Sequence, residues 1–395
     1  MSGISEIFPT DSRILIDGGL GSTLEDVFQI DTASSLWSSE ALIKNPESVI
    51  EAHLLFLRAG ARLIETASYQ GSFSTYARAG YSQDDAIRLM RSSVAFAVEA
   101  RKRFAAESHV PIDGIKIALS LAAYGASLPL PHEFDGFYPP PYGPQAYAQH
   151  SAIPNRNAFR ADERALEAQA EAALAAFHLE RLRAYAADAQ TWRSIDAVAF
   201  ETVPLAREVR AIRRAVAALE DDGLERKPWW VCAVYTGGEF PEQQQGASGG
   251  RLGARDVLAA FFGDNDVHAG AGSGEGGARY AVPDAFGVNC TAVAHVAKAV
   301  AAVSDVLEET GAGPAIGSWK PWLVLKPNGG QTYDMDTRKW GWHGGETPSQ
   351  KDEWAGQLGD IVRAATNKNV WGGILVGGCC KTGDGELRAL AKVLV

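Results

Sequence analysis

Residues 372–380 read GGILVGGCC, three apolar residues set between paired glycines and closed by two adjacent cysteines. A short apolar run without polar alternation is the pattern of a strand covered on both faces, as in a parallel sheet. Seven similar runs precede it: ILIDGG at 14–19, ARLIETASY at 61–69, IKIALSL at 115–121, DAVAFETV at 196–203, WWVCAVYTG at 229–237, AFGVNC at 285–290 and WLVLKPN at 322–328. Amphipathic stretches lie between them, at 46–60, 84–106, 161–187, 205–219, 293–310 and 349–365. Strands alternating with helices predict a parallel sheet, and eight strands is the number that closes a (β/α)8 barrel.

A chain of 395 residues with 46% hydrophobic content can bury a large core. Its length fits one α/β barrel with long loop insertions, expected at about 128–157, 238–252 and 264–281, so residues 1–395 read as a single domain. The net charge of −11 excludes a chain built to neutralise phosphate backbones, and no basic cluster interleaved with aromatics appears, so nucleic acid is not an expected partner. The start, MSGISEIFPTDSR, lacks a basic segment followed by an apolar one, and no apolar run approaches roughly 18 residues. A soluble cytoplasmic protein without a membrane partner is expected. Four cysteines are too few for a disulfide scaffold in a chain this long.

The first insertion carries YPPPY at 138–142, which reads either as a wall over a pocket or as a surface excursion. The glycine-rich stretches at 246–250 and 269–277 read as loops. Gly272, Gly274 and Gly277 match GxGxxG on paper, but no strand precedes them directly and no helix opens within them, which argues against a dinucleotide site.

In an α/β barrel the chemistry sits at the C-terminal tips of the strands. Cys290 ends one such strand, and Cys379 and Cys380 end another. Three thiolates with one open position form a catalytic zinc arrangement. Buried free thiols, an adjacent disulfide, or a redox pair without metal are the other readings of the vicinal cysteines. Cys232 lies inside its strand and reads as a core residue. Asp17, Glu65 and Glu201 also fall at strand tips; Asp17 and Glu201 are expected to face the same mouth as the cysteines, whereas Glu65 reads equally as a structural ion-pair partner. His53 and His178, on helical patterns, read as packing or surface residues. No GxSxG, HExxH or P-loop occurs.

Taken together, ILIDGGLGSTLE at 14–25, GARLIETASYQGSF at 60–73, FETVP at 200–204, GVNC at 287–290, KPNGGQTYD at 326–334 and GGCCKT at 377–382 resemble the homocysteine S-methyltransferase family, in order and over nearly the whole chain. The resemblance implies a TIM-like barrel in which Cys290, Cys379 and Cys380 bind Zn2+. It also implies that Asp17 and Glu201 hold the ammonium of the amino-acid substrate, with backbone groups around Ser68 and Tyr69 as candidates for its carboxylate. Two departures bear on the donor's surroundings: the family's TTNTYQAS is here ETASYQGS, and its GPYGA with an acidic DGSEY is here AAYGASLPLPHEF at 122–134.

The implied reaction is methyl transfer from a sulfonium, S-methylmethionine or S-adenosylmethionine, to the zinc-bound thiolate of homocysteine, giving methionine. A free thiol with a pKa of about 8.5 is mostly protonated at neutral pH, and zinc coordination deprotonates it. In-line transfer from a sulfonium releases a neutral thioether and requires no general acid, which accounts for the missing catalytic histidine. Betaine as donor, selenocysteine as acceptor, a non-catalytic zinc- or thiol-binding barrel and a vicinal-dithiol oxidoreductase are the alternatives.

Overall fold

The computed structural model describes residues 3–31, 36–150, 154–245, 250–263, 279–310, 319–334, 339–341 and 349–394. Ten strands are present among them: β1 Arg13–Leu15, β2 Leu63–Glu65, β3 Lys116–Ala122, β4 Ala197–Val203, β5 Trp229–Ala233, β6 Ala285–Asn289, β7 Trp322–Lys326, β8 Thr332–Asp334, β9 Lys339–Gly341 and β10 Ile374–Val376. Eight of them, all parallel, form one sheet in the order β1-β10-β7-β6-β5-β4-β3-β2. A parallel bridge between Ile16 and Leu63 joins the two ends, reinforced by Asp17 N–H to Leu63 O at 3.1 Å and Arg62 N–H to Leu15 O at 2.8 Å. The expected eight strands are these eight, and the result is a TIM-like (β/α)8 barrel.

Period-two alternation divides each strand between two environments. On β4, Val198 and Phe200 face the helices while Ala197 and Ala199 face the barrel axis. On β7 the same split puts Leu323 and Leu325 outside and Trp322 and Val324 inside. The lower interior combines two indoles, Trp230 and Trp322, with Ala118, Ala197, Ala199 and Ala285, so large and small residues share one layer. Gly287 belongs to this economy of space: a Cβ there would overlap the Cys232 sulfur.

The N-terminal segment closes the bottom. Its short helix, Ile4–Ile7, brings Ile4 and Phe8 into the interior cluster, with Gly3 N–H donating to Asp284 Oδ1 at 2.6 Å and Trp322 Nε1 donating to Ser5 Oγ at 3.2 Å. The barrel floor is thus covered by apolar side chains of the N-terminal segment.

The expected helices occur as Pro46–Arg58, Gln83–Ser108, Arg164–Ala186, Ala206–Asp221, Val293–Thr310 and Ser349–Lys368. Further helices at Leu20–Asp26, Ala254–Phe262 and Asp384–Val393 complete the outer layer. The stretch 128–157 holds no strand among its described residues and packs through aromatics: Tyr142 stacks on Tyr124 with ring centroids 3.9 Å apart, and Tyr138 donates to Glu208 Oε2 at 2.6 Å. Of the second insertion, residues 246–249 lie outside the described residues, as does most of the third, with Gly272, Gly274 and Gly277. No described helix is long and apolar enough to cross a membrane.

Candidate active site

The loops that follow β1, β6, β7 and β10 lock together at the open end. Cys290 N–H donates to Lys326 O at 3.1 Å, Cys379 N–H to Pro327 O at 2.8 Å, Gly329 N–H to Cys380 O at 2.9 Å, and Gly19 N–H to Thr382 O at 2.8 Å. This mesh draws the three cysteine side chains from two strand tips into one cluster, their sulfurs all within 4.8 Å of one another. Cys290 reaches it through a left-handed backbone, φ 47°, a conformation that a non-glycine residue adopts only where its surroundings hold it.

Gly377 and Gly378 serve this geometry without a left-handed turn, since neither has a positive φ. They provide room: a Cβ on Gly377 would strike the Asp17 carbonyl, and one on Gly378 would strike the Thr382 side chain. Gly378 N–H then donates to Asp17 O at 3.0 Å, which ties the cysteine loop to the carboxylate loop.

Cys290 and Cys379 are in disulfide contact, while Cys380 is free. This contact joins different strand tips rather than the vicinal cysteines. Burial, with the nearby Glu133 charge, pushes the Cys380 thiol up to about 11. Such a thiol is inert unless a cation stabilises its anion. The donor set suits zinc: three soft ligands converge, no carboxylate or imidazole atom joins the cluster among the described residues, and a fourth direction is left for a substrate. Cys232 stays apart, fully buried in the interior layer.

Beneath the cysteines lies a second, charged layer. Lys326, at the end of β7, donates to Glu65 Oε2 at 2.5 Å and to Glu201 Oε2 at 3.0 Å. Asn289 Nδ2 donates to the same Glu201 oxygen at 2.7 Å, while Thr202 N–H donates to Asn289 Oδ1 at 2.9 Å. The last bond is possible because Thr202 adopts φ 59°, where β4 shifts register against β5. Asp17 accepts from Glu65 N–H through Oδ2 at 2.7 Å.

Each of the three carboxylates keeps one oxygen without a partner: Asp17 Oδ1, Glu65 Oε1 and Glu201 Oε1. Three carboxylates face one ammonium, so the layer is short of positive charge. Burial lifts Asp17 to about 7 against the pull of Lys326, and burial with the Glu201 charge lifts Glu65 to about 8. Lys326 is held well above its ordinary value; burial opposes its charge, but Glu201, Glu65 and Asp17 together outweigh it.

Asp17 and Glu201 thus sit in one buried layer, and Glu65 joins them as an ion-pair partner. Ser68 is occupied by its own turn: its N–H donates to Thr66 O at 2.8 Å and its hydroxyl to Ser120 O at 2.8 Å. Tyr69 O accepts from Ala122 N–H at 3.0 Å, and its hydroxyl pairs with Thr202. His53 and His178 are both fully buried, and burial lowers each to about 4. His178 is a packing residue on the helix side, between Arg181 and Glu208. Lys326 and Asn289 were absent from the candidate residues. Their signal was positional, a lysine and an asparagine ending otherwise apolar strands that face one mouth.

The sequence profile of the homocysteine S-methyltransferase family matches residues 14–394. Homocysteine S-methyltransferase 4 of Zea mays is 29% identical over 388 residues, covering 96% of this chain and 89% of the relative. Selenocysteine Se-methyltransferase of Brassica oleracea var. italica is 27% identical over 399 residues, covering 98% and 90%. The metallated form of the homocysteine methyltransferase MmuM from Escherichia coli superposes with a TM-score of 0.65 at 23% identity, covering 99% of both chains, and so shares the fold. The chain belongs to the homocysteine S-methyltransferase family.

Proposed function

We propose that this protein transfers a methyl group from a sulfonium donor, S-methylmethionine or S-adenosylmethionine, to the sulfur of homocysteine, with zinc held by Cys290, Cys379 and Cys380. The observation that carries the reading is the pair of stacked layers: three sulfurs within 4.8 Å of one another, next to buried carboxylates with unpaired oxygens. A thiol-bearing amino acid suits both, its sulfur at the cysteines and its ammonium at Asp17 Oδ1 and Glu201 Oε1.

Zinc bound to the three thiolates supplies the positive charge that keeps an acceptor thiol deprotonated at neutral pH. The chain's own residues do the rest. Lys326 and Asn289 fix Glu201, and the Glu65 amide fixes Asp17, so the ammonium is received without reorganisation. Ser68 shapes the turn on which Tyr69 stands, at the rim where the substrate carboxylate lies. The acceptor lone pair attacks the methyl carbon, the carbon–sulfonium bond breaks, and its electron pair neutralises the leaving sulfur. No proton is transferred in this step. Alignment and exclusion of water supply the acceleration.

A selenol acceptor places the same demands on the site, and the similarity to a selenocysteine Se-methyltransferase makes it the second reading. The test is methyl transfer by reduced, zinc-loaded protein, with S-methylmethionine, S-adenosylmethionine and betaine compared on homocysteine and on selenocysteine. Turnover abolished by Cys380→Ala is the expected result. Absence of turnover with every pair, despite one zinc per chain, returns the protein to a non-catalytic zinc barrel.

A further inference from the structure

Asn289 closes β6 and is 1% exposed. On a continuing strand its side chain and that of Cys290 would point to opposite faces. The left-handed backbone at Cys290, φ 47°, breaks that alternation, and Asn289 Nδ2 lies 3.7 Å from Cys290 Sγ. The same nitrogen donates to Glu201 Oε2 at 2.7 Å and to Thr202 Oγ1 at 2.9 Å, while Asn289 Oδ1 accepts from Thr202 N–H at 2.9 Å. One side chain therefore touches the carboxylate layer and the cysteine cluster at once.

A carboxamide nitrogen carries two hydrogens, and here three acceptors share it. Glu201 Oε2, the oxygen paired with the Lys326 ammonium, keeps one of them, because a charge-assisted bond outweighs a neutral one. Thr202 Oγ1 and Cys290 Sγ compete for the other. A hydroxyl wins against an uncharged sulfur, which is a weak acceptor. A metal-bound cysteine is a thiolate, and against that anion the hydroxyl loses. In the reduced, zinc-loaded protein the two hydrogens are then divided between one anion of each layer.

We infer that Asn289 is a positioning residue that couples the two ends of the acceptor site, tying the carboxylate that receives the ammonium to a sulfur that holds the metal. The inference rests on the methyl-transfer reading above and deepens it. An ammonium at Glu201 Oε1 draws charge from the carboxylate, loosens its hold on the amide and frees the amide to donate more strongly to Cys290. That donation stabilises the metal-bound sulfur as thiolate. Amine binding and zinc binding therefore favour each other, by the same factor in both directions. A side chain that merely held Glu201 in place would leave zinc affinity untouched.

The amine is supplied as norleucine, which carries the ammonium and carboxylate of methionine but no sulfur to bond the metal. Wild-type, Asn289→Ala and Thr202→Val proteins, all reduced, are compared in zinc affinity by chelator competition and in norleucine affinity by calorimetry of the zinc-loaded form. Asn289→Ala should lose about tenfold in both. Thr202→Val keeps the β-branched shape and the backbone bond to Asn289 Oδ1 but removes the neutral competitor, so both affinities should be retained. Norleucine should tighten zinc in the wild type, and that gain should shrink in Asn289→Ala. Unchanged zinc affinity in Asn289→Ala overturns the inference, and so does an equal loss in Thr202→Val, which would mark general packing. In cobalt-substituted wild-type protein norleucine should shift the sulfur-to-metal charge-transfer band. A band that does not move overturns the inference even if the variants fail to fold. Reduced wild-type protein that binds neither zinc nor homocysteine marks failure of the methyl-transfer reading instead.

Discussion

The Lys326 ammonium donates to Glu201 Oε2 at 3.0 Å across 125 residues of sequence, from the tip of β7 to the tip of β4. Both side chains are almost fully buried, Lys326 at 4% and Glu201 at 2% exposure. The pair holds the charged layer at a fixed height below the cysteines. It also leaves one Glu201 oxygen open, which a symmetric, fully neutralised pair would not do.

Lys326→Met should therefore damage both folding and acceptor binding. Removing one partner of a buried ion pair leaves an uncompensated charge and costs about 3–5 kcal/mol. Here the carboxylates can take up protons, so the double variant Lys326→Met/Glu65→Gln should regain part of the loss. Urea denaturation of the single and double variants measures it. An equally unstable double variant would show that Lys326 acts through packing rather than charge.

Acceptor-side binding should strengthen as pH rises toward about 8. Asp17, raised to about 7, and Glu65, raised to about 8, hold protons in the empty site, whereas an ammonium is best received by ionised carboxylates. Methionine, which has no titrating thiol, isolates this effect. Its affinity should fall by up to about tenfold per pH unit below about 7, with a proton released on binding. Calorimetry in buffers of different ionisation enthalpy detects the proton. The same groups act on stability with the opposite sign. A carboxyl whose folded pKa is raised contributes stability below its unfolded value and loses it as pH rises through the folded one. Asp17 and Glu65 should accordingly withdraw stability from about pH 4 to about pH 8, opposed in the lower part of that window by the buried His53 and His178, each lowered to about 4. The difference in stability between wild-type protein and Asp17→Asn/Glu65→Gln isolates the two carboxyls, and a difference that does not change across this window contradicts the assignment.

The barrel was legible because its strands are short apolar runs with the reactive residues at one end, and Asp17, Glu201, Cys290, Cys379 and Cys380 all stand at such ends. Lys326 was not legible as a site residue, since a lysine after WLVL is equally a strand end meeting solvent. Its burial depends on Glu65 and Glu201, which lie on other strands. Glu133 was hidden in a segment without periodicity, and its burial follows from loop packing rather than from any strand or helix pattern. The floor was missed for a related reason: Ile4 and Phe8 sit on a helix of four residues, Ile4–Ile7, too short for a helical pattern to register.

Gly287 offers a test of the interior that bears directly on β6, the strand carrying Asn289 and Cys290. A methyl group at this position would occupy the space of the Cys232 sulfur. Gly287→Ala should cost about 1–3 kcal/mol by overpacking. Adding Cys232→Ala vacates that space and should recover more than half, since Cys232 lies outside the metal cluster. Thermal melts of the three variants give the answer, and a double variant no better than Gly287→Ala would place the strain elsewhere in the strand.

The cysteines carry the last prediction. A disulfide between Cys290 and Cys379 and a three-thiolate zinc site are mutually exclusive uses of the same sulfurs, because a sulfur bonded to another sulfur is no longer a thiolate ligand. Oxidised protein should therefore bind no zinc, and reduced protein about one ion per chain. Under denaturing conditions the oxidised chain should react with thiol reagent at Cys232 and Cys380 only, and the reduced chain at all four cysteines. Zinc loaded beforehand should shield Cys290, Cys379 and Cys380 from reagent in the folded state, with a chelator restoring their reactivity. Cys380→Ala separates the readings further: it should lose zinc while still forming the Cys290–Cys379 bond, so its metal content and its thiol count change independently. Zinc retained at full stoichiometry by the oxidised protein would remove Cys290 and Cys379 from the ligand set and with them the proposed acceptor site.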